Sequence, residues 1–154
     1  MKKVGLDTWI QLLGVSSVVA GLVFVGLEMR QSQQIALAAQ QQARAALNVS
    51  LLNSFTESGI DHQSVVWEQN FNYELSKEEI AFRNQLHSIW FLYGNDYYQY
   101  RQGLMDESTW SAKLVGIQII YDKCRGRVIY NQRAPMFAEE FRTIIDSFPD
   151  ECPN

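Results

Sequence analysis

The chain has 154 residues, 47% of them hydrophobic and 19% charged, with a formal net charge of −4 at pH 7. That length holds one domain with a real core plus an appendage, and the composition excludes a multi-spanning membrane protein. Residues 1–56 carry Lys2, Lys3, Arg30 and Arg44 against Asp7 and Glu28, while the remainder carries nine basic and fifteen acidic side chains; an acidic soluble part excludes a nucleic-acid partner, which needs a basic footprint.

From the N-terminus, Ile10 to Leu27 runs eighteen residues without a charge. With Trp9 and Met29 the stretch reaches the ~20 residues that cross a ~30 Å hydrocarbon core. Trp9 sits at one end, where an interfacial aromatic belongs. A secretory signal fits less well than a retained anchor: the first small-x-small site, Ala36 to Ala38, lies beyond Glu28, Arg30 and a run of glutamines. A buried core helix is a poor fit, because the apolar run covers every face. Residues 1–29 are therefore expected to form a tail and a single transmembrane helix, with the lipid bilayer as its partner.

Between Glu28 and Phe55 there is neither Pro nor Gly, and Ala, Gln, Leu, Arg and Met dominate. The same helix should continue through residues 30–56 as a stalk, until Thr56-Glu57-Ser58-Gly59 stops it. One helix from Asp7 to Phe55 would span roughly 70 Å, at about 1.5 Å per residue. A heptad register places Gly14, Ser17, Gly21, Phe24, Glu28 and Gln31 on one face, continued by Ile35, Ala38 and Gln42. Small residues in lipid let helices approach closely, and an apolar stripe beyond lipid suits a coiled coil. The seam thus predicts a parallel homo-oligomer; the competing expectation is that Ile35 to Leu52 pack on the protein's own later helices.

Residues 57–154 read as a soluble domain of short amphipathic helices. Asp61 to Asn70 is one candidate, carrying Val65, Val66 and Trp67. Ser76-Lys77-Glu78-Glu79 is a capping box opening a long helix with Ile80, Leu86, Ile89, Trp90, Tyr93 and Tyr97 at spacings of three and four. Gly103 suits its left-handed C-terminal cap, and Asp106 can cap a following helix bearing Trp110, Leu114, Ile117 and Tyr121. Arg125-Gly126-Arg127 reads as a break, followed by a short helical turn through Tyr130. Pro135 is expected to start a last helix whose apolar face is Phe137, Phe141, Ile144, Ile145 and Phe148. No stretch alternates with period two, so the predicted class is all-α: a long N-terminal transmembrane helix continuing into a soluble helical bundle domain.

Four stretches carry a resemblance: Leu27-Glu28-Met29-Arg30-Gln31, Leu75-Ser76-Lys77-Glu78-Glu79, the span from Tyr98 to Trp110 with Tyr100, Gly103 and Asp106, and the span from Phe137 to Asp146 with Glu140, Phe141 and Ile145. Through them the chain resembles, over almost its whole length, an uncharacterised family of small bacterial single-pass membrane proteins with an aromatic-rich helical domain. The resemblance implies a place in the bacterial inner membrane and brings no activity. In similar proteins the basic residues more often follow the membrane helix, which implies a cytoplasmic soluble domain; Lys2 and Lys3 depart from that pattern and leave the periplasm as the alternative.

Chemistry is sparse in the sequence. His62 and His87 stand in no metal-ligand spacing, and no phosphate loop or nucleophile elbow occurs. Neither a metal nor a cofactor is expected. Lys123, Arg125, Arg127 and Arg133 form one basic cluster, read either as a solvated turn or as a contact for anionic headgroups. Cys124 and Cys152 are free thiols in a reducing compartment or a staple in an oxidising one. The leading expectation is a non-enzymatic, self-associating membrane scaffold or accessory subunit, whose partner is a second copy or another membrane protein. The alternative is a homo-oligomeric channel with Glu28 and Gln31 near its mouth, where a ring of acids attracts cations. A third is an enzyme with His87 or Asp96 as acid or base.

Overall fold

The computed structural model describes residues 5–70, 74–150 and 152; Lys2 and Lys3, which bear on orientation, lie outside them. Every regular element among the described residues is helical. The first helix, α1, spans Leu6–Glu57 without interruption. Ser17, Asn48, Ser54 and Thr56 each donate to the carbonyl four residues earlier, so polar side chains inside the helix bond within it. The helix stops at the expected place. Gly59 adopts φ 67°, Ile60 N–H donates to the Phe55 carbonyl at 2.8 Å and Gly59 N–H to the Thr56 carbonyl at 3.0 Å, the bond pair of a left-handed C-terminal cap.

The chain divides into two compact units, residues 1–37 and 38–154. In the first, α1 is long and apolar enough to cross a membrane, and none of its most apolar window is buried inside the fold.

In the second unit, α1 from Ala38 onward is joined by four more helices. A turn of π-helix, Gln63–Trp67, stands where a regular helix over 61–70 was expected. Asp61 organises it by accepting from Ser64 N–H at 2.8 Å and Ser64 Oγ at 2.5 Å. Helix α2, Lys77–Arg101, begins at the predicted cap: Ser76 accepts from Glu79 N–H. Gly103, at φ 70°, closes it with the same bond pair as Gly59, from Leu104 to Gln99 and from Gly103 to Tyr100. Helix α3, Glu107–Tyr121, is capped by Asp106, which accepts from Thr109 N–H.

Helix α4, Cys124–Arg133, corrects the reading of Arg125-Gly126-Arg127 as a break. These residues are helical because Gly126 lets α4 start directly against the end of α3: a Cβ there would fall on the Ile120 carbonyl oxygen. Pro135 lies in a 3-10 turn, Ala134–Met136, and the last helix, α5, starts later than expected, at Glu139–Asp146.

The core is aromatic. Trp90 and Tyr97 of α2 meet Trp110 of α3, Tyr130 of α4 and Phe141 of α5. Tyr97 stacks on Phe141 with centroids 4.9 Å apart, and Trp90 lies 5.0 Å from Tyr130. Two polar tips in this core find partners: Trp90 Nε1 donates to the Gly126 carbonyl at 3.1 Å, and Tyr130 OH to Asp146 at 2.7 Å. A disulfide joins Cys124, at the start of α4, to Cys152 beyond α5. Arg127, ion-paired to Asp150 and lying over the Tyr121 ring at 4.0 Å, holds the same C-terminal segment.

Candidate functional site

The predicted seam divides at the boundary between the units. Gly14, Ser17, Gly21, Phe24, Glu28, Gln31 and Ile35 are exposed, and a Cβ on Gly14 or Gly21 would meet nothing within 4 Å. Past Leu37 the stripe is used within the chain. Ala38, Ala45 and Leu52 are buried in the second unit, and Gln99 Nε2 donates to the Ala38 carbonyl at 3.0 Å. Gln42, four residues after Ala38 and three before Ala45, stays exposed and borders a recess shared with Gln99 and Asp96. Self-packing, the competing expectation for Ile35 to Leu52, describes these three buried positions.

The basic cluster proposed from the sequence is dispersed. Lys123 and Arg125 face solvent, with Arg125 3.6 Å from Glu79, while Arg127 and Arg133 are buried. The helical spacing of Gly126, Ile129, Tyr130 and Arg133 puts Arg133 on the buried face of α4. This spacing is legible in the sequence once Gly126 is placed inside a helix.

Arg133 anchors a buried polar chain that joins segments distant in sequence. Its Nη1 donates to His87 Nδ1 at 2.9 Å, and the His87 Nε2 is 2.9 Å from Gln63 Oε1. An Arg can only donate, so His87 Nδ1 accepts, its proton sits on Nε2, and Gln63 accepts that proton. Burial first, then Arg133, lowers the His87 pKa to about 3, so the ring is neutral. His62 packs edge-on against it with centroids 4.7 Å apart, and its own pKa is lowered by burial and by Arg133. Beside this chain Asn84 fixes the turn after α1. It accepts from His62 N–H and donates to Thr56 Oγ1 and to the Ile60 carbonyl, all within 3.0 Å.

On its other side Arg133 borders a cavity of about 600 Å³ between α1, α2 and the stretch from Arg133 to Phe141. Phe91, Tyr97, Met136, Phe137 and Phe141 give its walls aromatic and apolar surface, and Arg44, Arg101 and Glu140 add charge. The Arg133 guanidinium lies 3.7 Å above the Phe91 ring, and its Nε has no hydrogen-bond partner. Asp96, the other residue considered as an acid or base, is 3.0 Å from Lys113 and lines a separate, smaller recess. Among the described residues no group of three or more His, Cys, Asp or Glu side chains is arranged to hold a metal ion.

Comparison with family models, with curated proteins and with solved structures gave no match.

Proposed function

We propose that the protein is a single-pass, membrane-anchored helical scaffold or accessory subunit that associates with itself and carries out no catalysis. The observation behind this reading is the unburied state of the apolar half of α1: a window of mean hydropathy 2.2 with none of it covered by the rest of the chain. Apolar surface on that scale demands another partner, and lipid supplies it. A retained anchor is preferred to a cleaved signal. The first Ala-x-Ala sequence after the apolar run is helical, and Ala38 within it is buried in the second unit.

Self-association is assigned to Gly14, Ser17 and Gly21, where the helix surface is low enough for a second backbone to come close. The contact would end before Ala38, which is already covered. The soluble domain is placed on the extracytoplasmic side. The Cys124–Cys152 disulfide belongs to an oxidising compartment, while the basic residues flanking the apolar run, Lys2 and Lys3 before it and Arg30 and Arg44 after it, balance. The disulfide weighs against the cytoplasmic orientation that the resemblance implies.

The particle mass of the full chain in mild detergent tests the assembly. A multimer that Gly21→Leu converts to monomer is expected; a wild-type monomer rejects self-association, and with it the channel alternative. The anchor is tested by alkaline carbonate washing of membranes, which should leave the full-length chain in the pellet.

A further inference from the structure

We propose that the cavity beside Arg133 is a binding site for a small organic carboxylate with an aromatic or aliphatic body. The first ground is Arg133 itself. It is 2% exposed, lines the cavity, and forms no ion pair with any acid among the described residues. One guanidinium nitrogen is committed to a neutral histidine, and its Nε has no partner at all. Burial lowers its pKa to about 10, with no acidic side chain close enough to oppose the shift. Buried charges are ordinarily paired, because a desolvated cation without a counter-ion is strongly unfavourable. The protein keeps this one unpaired at the edge of an open space.

The second ground is the space. Its volume of about 600 Å³ is that of a small-molecule site. The walls supply aromatic and methionine surface for an apolar body. Further charge at the rim is positive on balance: Arg44 and Arg101 stand against Glu140 alone, which is exposed and 4.0 Å from Arg101. A guanidinium recognises carboxylate and phosphate alike. The single buried cation favours a monoanion, since the second charge of a dianionic phosphate would meet only Arg44 and Arg101, which are exposed and screened by water.

The test uses the full chain in lipid nanodiscs, titrated with phenylbutanoate and, separately, with phenylbutanol and phenylpropyl phosphate. Calorimetry should show saturable one-to-one binding of the carboxylate in the millimolar range or tighter. The alcohol should bind at least about tenfold more weakly, because it carries the same body without the charge. In Arg133→Met, which fills the same space without the cation, carboxylate binding should fall by about tenfold or more. Should that variant fail to fold, the wild-type chain still decides the matter. The His87 imidazole nitrogen resonances must shift on saturation with phenylbutanoate and not with phenylbutanol, because Arg133 bonds that ring directly. Equal affinity for acid and alcohol, tighter binding of the phosphate, no saturable binding, or unchanged binding in a folded Arg133→Met overturns the proposal.

Discussion

His87 shows what burial does to an ionisable side chain with no acid beside it. It is fully buried, accepts from Arg133 and is held neutral, with its pKa lowered from 6.5 to about 3. Between those two values the unfolded chain binds a proton that the folded chain refuses. His87 therefore contributes its full stability above pH 6.5 and loses it progressively as pH falls toward 3. His62, also lowered, acts in the same direction. Urea unfolding of the detergent-solubilised protein, followed by tryptophan fluorescence, should lose about 1.4 kcal/mol per pH unit within that window through His87. His87→Gln can keep both hydrogen bonds and should flatten the slope by about one proton's worth; a slope unchanged in that variant would remove His87 from the acid response. The sequence placed His87 beside the aromatic face of α2 but could not name its partners. Gln63 and Arg133 lie 24 and 46 residues away, and no local period reports contacts at that range.

At the scale of elements, the features legible in the sequence are those written into a few neighbouring residues. The stops at Gly59 and Gly103 and the caps at Ser76 and Asp106 stand where the sequence put them, because each is a local exchange between a side chain or a glycine and its own backbone. The reading failed where a glycine serves a tertiary contact instead of a turn. Gly126 looked like a helix break, but it is the point where α4 crosses the end of α3, and its carbonyl accepts from Trp90. Without that helix, Arg133 has no buried face to belong to. Gly126→Ala separates the two roles. At a break the change would be neutral, or would stabilise a helical residue by somewhat under about 1 kcal/mol. Against the Ile120 carbonyl it must push α3 and α4 apart, at about 2–3 kcal/mol. A lowered urea midpoint with an unchanged urea dependence would identify the contact.

Taken whole, the molecule treats apolar surface in two ways, one per unit: a helix whose most apolar window is not buried, and a domain that covers its own core. The second unit has a further constraint, since its last segment is tied down by the Cys124–Cys152 bridge together with Arg127 and Asp150. With two cysteines the sequence leaves a staple and free thiols both open, because the 28-residue separation does not bring the two together until α4 and α5 are packed. A loop of that length restricts the unfolded chain by about 3.5 kcal/mol, so the Cys124→Ser, Cys152→Ser double variant should unfold at a clearly lower urea concentration than the oxidised protein. Reductant should lower the wild-type midpoint to the same level and leave the variant unmoved. The bridge also makes orientation measurable in cells. With the domain outside the cytoplasm, both thiols should resist maleimide in denatured, freshly quenched extracts and become reactive only after reduction. Full labelling without reductant would return the domain to the cytoplasm and leave the bridge as something the fold permits but the compartment does not form.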